Sequence, residues 1–398
     1  MRQTVQPVSS GERITSLDVL RGFSLLGIFL VNMISFHSPY AYYNPYEWWQ
    51  YGERTVYAWI DVLVQGSFYP IFAMMFGYGL VIMQQRMAAK DMSFWKISTR
   101  RMAVLLGIGM IHAFFIWHGD ILITYAICGL VLLAFLKLSG RLLMWLGLGL
   151  YFLPQLLLSS LFLFLSLMSI DMGDFYSDIV SIQSALDTYA EGTYAQIIQQ
   201  NYADWQLASG LVGLPLQIMM IVPLMMIGAG ASKLQWLQKA KQSRKKWAWI
   251  FAVGAVAGIG IKLLPVIAEP TISYMYIQDM LGGPILGASY AALIVLLMSY
   301  PAASGIMKPL AYAGRMSMTI YLSQSIISVC IFYSFGLGLY GDMALSTGTL
   351  LASAIYVIQV MIAGLWFKKF RYGPVEKVWR FLTYGRKALA KPVHGQSE

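Results

Sequence analysis

The chain contains 398 residues, of which 58% are hydrophobic and only 12% are charged. Soluble domains carry roughly 25% charged residues, so this chain lacks the polar surface that a protein of its length needs in water. The formal net charge of +10 does not indicate nucleic-acid binding, because the basic residues lie in short clusters between apolar runs. Composition therefore predicts an all-α polytopic integral membrane protein whose main partner is the lipid bilayer.

Apolar runs follow one another along nearly the whole chain. About twenty apolar residues span the hydrocarbon core of a bilayer, and on this measure we expect about ten transmembrane helices. The predicted helices occupy residues 17–36, 60–84, 101–117, 121–137, 142–168, 211–232, 247–267, 283–300, 316–335 and 347–367. Pro154 lies inside the fifth segment, which is long enough to tilt across the membrane or to break at this proline.

The distribution of basic residues predicts the orientation of these helices. With ten helices, 26 of the 28 lysines and arginines fall at the termini or in connections on the same side, and Arg54 and Lys262 are the exceptions. Basic residues concentrate in cytoplasmic segments, so both termini are expected in the cytoplasm. The resulting organisation is a cytoplasmic N-terminus (1–16), a single transmembrane helical bundle (17–367) and a basic cytoplasmic tail (368–398).

Two predicted extracytoplasmic segments are too long for simple turns. Residues 37–56 are rich in aromatic side chains, which favours either an interfacial aromatic belt or a platform for a sugar ring. Residues 170–210 are polar and acidic, and they form either a solvated cap or a lid over an outward-facing site. Long loops in a compact bundle often carry function, so both segments are candidates for a binding role.

Ionisable residues at membrane depth are costly, and each therefore indicates a partner or a function. Asp18 and Arg21 are three residues apart on one helical face, either as an ion pair that fixes helix entry or as a site where Arg21 binds a phosphate-bearing donor. His112 and Asp120 flank the turn between the third and fourth helices. They form either a proton-accepting imidazole with its orienting carboxylate, or a structural histidine bonded to a carbonyl beside a helix cap at Asp120.

Further polar residues occur inside the predicted helices. They favour either a polar cavity lined by helices one, two, three and nine or separate hydrogen bonds between helices. These residues are Asn32, Asp61, Gln65, Gln217, Lys262, Arg315, Tyr321, Gln324 and Gln359. The two cysteines, Cys128 and Cys330, lie in apolar runs without metal-ligand spacing, so no metal site is expected.

Five motifs, in order along the chain, resemble the YeiB-like family of bacterial membrane proteins, which carry domain of unknown function number 418. The motifs are Leu17-Asp18-Val19-Leu20-Arg21-Gly22 with Val31-Asn32, Phe72-x-x-x-Phe76-Gly77-x-Gly79, His112 with Gly119-Asp120-Ile121-Leu122-x-x-Tyr125, Gly314-Arg315-Met316-x-x-Thr319-x-Tyr321-x-x-Gln324, and Phe370-x-x-Gly373-Pro374-Val375-Glu376-x-x-Trp379. The resemblance covers nearly the whole chain. It implies a multi-pass protein of the bacterial inner cell membrane.

The YeiB-like family is similar to the transmembrane acyltransferase superfamily, which includes sugar O-acetyltransferases and the lysosomal heparan glucosaminide N-acetyltransferase. This similarity implies transfer of an acyl group from cytoplasmic acyl-CoA to an extracytoplasmic acceptor, either a cell-envelope sugar or a lipid. Asp18, Arg21 and Arg315 would form the donor site. Where O-acetyltransferases of the superfamily carry a catalytic histidine, this chain has Asn32, whose amide cannot act as a base near neutral pH.

The catalytic residues implied by the motifs are therefore His112, Asp120, Asn32 and Gln324. His112 would deprotonate an acceptor hydroxyl and Asp120 would orient it, while the two amides would donate hydrogen bonds to the oxyanion. His37 is the alternative base. Two other functions stay open: a transporter or permease for a small solute, and a non-catalytic protein that binds a lipid or a cell-wall intermediate. The sequence has no evident internal repeat of the kind that many secondary transporters contain.

Overall fold

The computed structural model describes residues 14–168, 177–268 and 270–385, and within these ranges it is helical without strands. The helices are α1 (Thr15–His37), α2 (Tyr51–Leu63), α3 (Phe68–Ala88), α4 (Phe94–Phe115), α5 (Leu122–Phe135), α6 (Gly140–Leu167), α7 (Ile179–Glu191), α8 (Tyr194–Ser209), α9 (Gly213–Lys233), α10 (Arg244–Lys262), α11 (Ile272–Ile277), α12 (Gly283–Met298), α13 (Lys308–Arg315), α14 (Ser317–Phe332), α15 (Leu345–Lys369) and α16 (Pro374–Tyr384). Short helical turns cover Tyr40–Tyr42, Pro45–Trp48, Ala240–Ser243, Leu264–Ile267, Gln278–Gly282 and Pro301–Ile306.

Seven helical stretches in the described part of the chain are long and apolar enough to cross a membrane. They are Thr15–His37, Tyr51–Ala88, Gly140–Leu167, Gly213–Lys233, Ala240–Ile267, Ile272–Met298 and Leu345–Lys369. An eighth is added if α13 and α14, which meet at a bend of 80°, cross together. This architecture confirms the all-α polytopic membrane class.

The predicted count of ten transmembrane helices is not confirmed. The predicted segments 101–117 and 121–137 coincide with α4 and α5, which are not among the seven stretches. Helix α5 has 14 residues, fewer than the ~20 that a hydrocarbon core requires. The first half of α4 contains Lys96, Arg100 and Arg101, which lower its hydropathy.

The boundaries of two predicted helices also differ from the structure. The segment predicted as 60–84 is divided between α2 and α3, with Gly66 at a positive φ of 71° between them. The segment predicted as 316–335 begins at the bend after α13. The break considered at Pro154 does not occur, since α6 continues through this residue. An unbroken helix satisfies nearly all of its backbone groups internally, which is the preferred state in lipid.

Glycines allow two pairs of helices to pack backbone against backbone. A methyl group added at Gly77 in α3 would overlap the carbonyl of Met225 in α9, and one added at Gly228 would overlap the carbonyl of Met74. Between α1 and α13, a methyl group at Gly314 would overlap the carbonyl of Asp18. Small residues at helix interfaces permit this close approach in membrane proteins. The contact between α1 and α13 holds Asp18 beside the helix bend that follows Arg315.

Basic side chains from distant parts of the chain meet at one end of the bundle. Arg21 of α1, Arg86 of α3, Arg101 of α4, Arg315 of α13 and Arg380 of α16 line one cavity there. We call this the basic end. Its cytoplasmic location follows from the concentration of basic residues and stays a prediction.

The described parts of the two long segments predicted as extracytoplasmic lie together at the opposite end, and residues 170–176 of the second segment lie outside the described ranges. The amide of Asp178 donates to the carbonyl of Tyr42 at 2.9 Å, and the amide of Ser334 donates to the carbonyl of Tyr189 at 2.8 Å. Helices α7 and α8 form most of the second segment. The backbone bonds fasten this helical pair to the end of the bundle where α1 finishes.

We expect Gly77→Ala to lower the melting temperature in detergent, because the added methyl group must displace the α9 backbone. Overpacking of this kind costs about 1–3 kcal/mol. Gly149→Ala in α6 is the matched control, since no atom beyond the neighbouring residues and backbone of its own helix lies within 4 Å of the added methyl group. Alanine favours a helix over glycine by roughly 0.5–1 kcal/mol, so the control should be neutral or slightly stabilised. Equal melting temperatures for the two variants would contradict the close α3–α9 packing.

Candidate functional site

A cavity of about 430 Å³ lies at the basic end, between α1, α3, α4, α5, α13, α14 and α16. Seven cationic side chains and two carboxylates line it. The cationic residues are Arg21, Arg86, Lys90, Arg101, Arg315, Arg371 and Arg380, and the acidic residues are Asp18 and Glu376. This surplus of positive charge makes the cavity suitable for an anionic ligand.

The cavity becomes apolar and aromatic away from these charges. Phe72, Phe76 and Tyr125 line it, and the Phe76 ring meets the Tyr125 ring edge-on at 5.5 Å between centroids. Ile121 and Tyr321 also line this region. The site therefore combines a charged part and an apolar part, which fits a ligand that has an anionic head and an uncharged chain.

Two of the predicted donor residues form a pair at the cavity wall. The guanidinium of Arg21 lies 3.7 Å from the carboxylate of Asp18, one helical turn away. Arg21 also lies against Gly79 of α3, where an added Cβ would be 3.1 Å from its Nη2 atom. The structure thus supports the predicted ion pair, and it places the pair in a cavity where Arg21 can also face a bound anion.

Aromatic faces orient other guanidinium groups around the cavity. Arg315, the third predicted donor residue, lies over the Phe367 ring at 3.9 Å. Arg101 lies over the Trp379 ring of α16 at 3.7 Å. Such cation–π contacts fix the plane of a guanidinium while leaving its edge for hydrogen bonds.

Glu376 joins α16 to α14 and so completes one wall. Its carboxylate accepts hydrogen bonds from the amides of Met318 and Thr319, at 2.8 and 3.1 Å, and from the Thr319 hydroxyl at 2.6 Å. Burial raises the pKa of Glu376, and these hydrogen bonds act in the opposite direction. A carboxylate at a helix N-terminus satisfies amides that lack partners within the helix. The motif residue Glu376 therefore caps α14.

His112 and Asp120 meet in the turn between α4 and α5. The distance from His112 Nδ1 to Asp120 Oδ2 is 2.7 Å, and both side chains are buried. The other oxygen of Asp120 accepts from the amide of Ile123 at 2.8 Å. The two interpretations of Asp120 are therefore compatible, since the same carboxylate orients the imidazole and caps α5. The absence of a side chain at Gly109 makes space for this carboxylate, since a Cβ at that position would lie 3.0 Å from Asp120 Oδ1.

The second nitrogen of His112 is the notable atom of this pair. Nε2 is buried, and no residue in the described ranges forms a hydrogen bond with it. If Nδ1 carries the proton that Asp120 accepts, Nε2 has a lone pair available to take another proton. This is the arrangement that a general base requires.

Tyr321 separates His112 from the cavity. Its ring lies 5.2 Å from the imidazole between centroids, and its hydroxyl accepts from the Ile121 amide at 3.3 Å and donates to the Gly119 carbonyl at 3.2 Å. Tyr321 and Ile121 line the cavity, whereas His112 and Asp120 do not. The pair therefore lies one side chain beyond the inner end of the cavity.

The two predicted amide donors lie outside the cavity lining. The Gln324 amide donates to the Gln359 side chain at 3.1 Å, which links α14 to α15. Asn32 is half-buried on α1. Of the polar residues predicted to share one cavity, only Arg315 and Tyr321 line it. Asp61, Gln65 and Lys262 lie elsewhere: none of them lines the cavity, and the Lys262 ammonium donates to the Gln65 carbonyl at 2.9 Å.

A second histidine–carboxylate contact was not predicted from the sequence. His118 Nδ1 lies 3.5 Å from Asp204 Oδ2, and the Tyr189 hydroxyl donates to the same oxygen at 2.7 Å. Tyr42 and Gln200 bond to the other oxygen at 2.5 and 2.7 Å. Asp204 thus fastens α7 and α8 to the turn that holds Asp120. In the sequence, the charge of Asp204 was the only sign that this residue has a partner. No nearby residue or spacing identified His118 as that partner.

Acidification should destabilise the protein partly through His118. Burial lowers the pKa of His118 below its ordinary value of 6.5, and Asp204 opposes this shift. Below about pH 6.5 the unfolded chain therefore binds a proton that folded His118 does not, so stability is lost as pH falls. Melting temperatures measured from about pH 8 to about pH 5 should fall less steeply for His118→Gln than for the unchanged protein. Parallel curves would contradict the neutral state of buried His118.

Comparison with known sequences gives the family. The family model described as "Protein of unknown function (DUF418)" matches residues 231–386 of the sequence. YxaH of Bacillus subtilis (strain 168) is 31% identical, with 96% of each chain covered. YeiB of Escherichia coli (strain K12) is 27% identical, covering 94% of this chain and 96% of its own. A 39.9 kDa protein from the amylase 3′ region of Bacillus acidopullulyticus is 29% identical, covering 96% of this chain and 97% of its own. The chain therefore belongs to the DUF418 family, as its resemblance to YeiB-like proteins implied.

Proposed function

We propose that the protein is a membrane-embedded acyltransferase that moves an acyl group from cytoplasmic acyl-CoA to an extracytoplasmic sugar or lipid of the cell envelope. The observation that carries this proposal is the cavity at the basic end, which is cationic in one part, apolar in another, and ends at Tyr321 against His112. Acyl-CoA has the same division, with phosphates at one end and an uncharged thioester arm at the other.

The cationic part of the cavity supplies the donor site. Phosphate oxygens accept hydrogen bonds from guanidinium groups in a bidentate geometry that lysine cannot reproduce. Arg21 and Arg315 are in the cavity wall with Asp18, so the predicted donor residues share one ligand space. The acyl arm would then lie along Phe72, Phe76 and Tyr125, toward the turn that contains Asp120.

His112 supplies the base in this mechanism. Its Nε2 atom takes the proton of an acceptor hydroxyl while the hydroxyl oxygen attacks the thioester carbonyl. A carbon–oxygen bond forms, the carbon–sulfur bond breaks, and the leaving CoA thiolate takes the proton from the imidazolium. Asp120 stabilises the charged imidazole during the step. Tyr321 must move aside for the thioester to reach His112, and Gln324 must leave Gln359 if it is to join Asn32 as an oxyanion donor.

We expect His112→Gln to reduce acyl transfer by about 10²–10⁴-fold, the usual contribution of a general base. Acyl-CoA consumption by the purified protein in lipid, supplied with an envelope fraction as acceptor, is the measurement. His37→Gln is the matched control, since His37 is also a buried histidine but lies at the opposite end of α1 from Asp18. Full activity of His112→Gln, with loss in His37→Gln, would identify His37 as the base.

The donor site gives a separate prediction for binding. Replacing Arg86 and Lys90 by glutamine should weaken acyl-CoA binding about tenfold, which corresponds to ~1.4 kcal/mol. Lys239 and Lys241 are exposed lysines outside the cavity lining, so the Lys239→Gln, Lys241→Gln variant controls for the loss of two positive charges. Calorimetric titration with a non-hydrolysable acyl-CoA analogue measures the difference. Equal affinity of the two double variants would contradict the placement of the donor.

A second candidate function is a transporter for a small solute, which the irregular backbone beside Lys262, at Gly66 and at the π-helical turn Gln278–Gly282, favours. Helices with breaks at membrane depth surround the binding sites of many secondary transporters. The two candidates differ in a simple assay on proteoliposomes. A transporter moves solute without acyl-CoA, whereas an acyltransferase consumes acyl-CoA without net solute movement.

A further inference from the structure

Two membrane segments with irregular backbone meet next to Lys262. Between α2 and α3 the chain turns at Gly66, and between α11 and α12 it forms the π-helical turn Gln278–Gly282. The turns pack against each other, since a Cβ on Gly66 would lie 3.0 Å from Asp279 Oδ1. Irregular backbone inside membrane segments is tolerated where it is buried in protein or lines a cavity, and π-turns often occur at functional sites.

This region contains two carboxylates and one ammonium group. The side chain of Lys262 is fully buried, and its ammonium donates to the Gln65 carbonyl at 2.9 Å and to Asp279 Oδ1 at 3.0 Å. Asp61 is also buried and lies within electrostatic range of both Lys262 and Asp279. It accepts a hydrogen bond from the Tyr46 hydroxyl at 2.5 Å. The two carboxylates and the one ammonium group together carry a formal charge of −1.

Two amide oxygens in the same region lack hydrogen-bond donors. Gln278 is only 1% exposed, and its Oε1 atom is buried without a partner in the described part of the chain. Gln278 directly precedes Asp279 in the π-helical turn and lies close to Asp61. The Oε1 atom of Gln65, the residue whose carbonyl binds Lys262, is likewise buried without a partner among the described residues. A buried acceptor without a donor destabilises the folded protein, so these oxygens are available to bind a ligand.

We propose that Asp61, Gln65, Gln278, Asp279 and Lys262, the Lys262 cluster, form a binding site for a monovalent hard cation of the Na⁺ class. Carboxylate and amide oxygens are the ligands that hard cations prefer. A single excess negative charge matches one monovalent cation. The Asp279 side chain is 26% exposed, so the cluster reaches the surface of the bundle. None of the five residues lines the cavity at the basic end, so the site is additional to the donor site.

The proposal is tested by ²²Na⁺ binding to the full-length protein in detergent, with choline chloride holding the ionic strength constant. Saturable binding is expected, together with a melting temperature that rises with NaCl and not with choline chloride. The absence of saturable binding by the unchanged protein overturns the proposal, whatever the variants do. A melting temperature that responds to pH but not to Na⁺ also overturns it, since a proton would then be the ligand.

Asp61→Asn should weaken Na⁺ binding at least tenfold, because it removes the negative charge while keeping an oxygen for the Tyr46 hydroxyl. Asp342→Asn is the matched control: it removes one carboxylate from an exposed loop and should leave binding unchanged. Gln278→Met, which keeps the side-chain volume and removes the amide oxygen, should also weaken binding and serves if Asp61→Asn fails to fold. Unchanged Na⁺ affinity in the folded variant tested would refute the site.

Discussion

The membrane-spanning part of this protein must satisfy its polar groups without help from water. The structure meets this constraint with hydrogen bonds that run between helices: Gln324 to Gln359, Glu376 to the start of α14, and Lys262 to Asp279. A buried polar atom that lacks such a bond is therefore a sign of a possible ligand or reactant at that position. His112 Nε2 is one such atom, beside the cavity at the basic end, and Gln278 Oε1 is another, in the Lys262 cluster. Each of these unsatisfied atoms supports the site proposed around it.

Close backbone packing determines where the cavity at the basic end can form. Gly314 brings α13 onto α1, so that Arg315 and Arg21 share one wall. Gly109 leaves room for the carboxylate of Asp120, which bonds to His112 and caps α5 at once. A larger residue at either glycine would separate the groups that the proposed mechanism requires to be neighbours. The glycines therefore contribute to the site without touching a ligand.

Local patterns in the sequence predicted part of this arrangement. Hydropathy indicated the membrane class, and short spacing indicated the contacts of Asp18 with Arg21 and of His112 with Asp120. The contact of Asp204 with His118 joins residues 86 positions apart, and helical periodicity predicts contacts only between residues a few positions apart. The ten-helix count was not confirmed, because hydropathy alone does not distinguish a short or charged helix such as α4 or α5 from a full span. Neighbouring helices pack against these segments, and a short stretch of sequence does not show which helices will be neighbours.

Lys262 connects the charge pattern of the sequence with the chemistry of the fold. It is one of two basic residues that departed from the predicted one-sided distribution, and the other, Arg54, is exposed. A fully buried ammonium is stable only beside compensating charge, which Asp279 and Asp61 provide. Two carboxylates are more than one lysine requires, however, so the ion pair alone does not account for Asp61. The excess charge, the unpartnered Gln278 oxygen and the irregular backbone at Gly66 and at Gln278–Gly282 have one common explanation in a cation held between them.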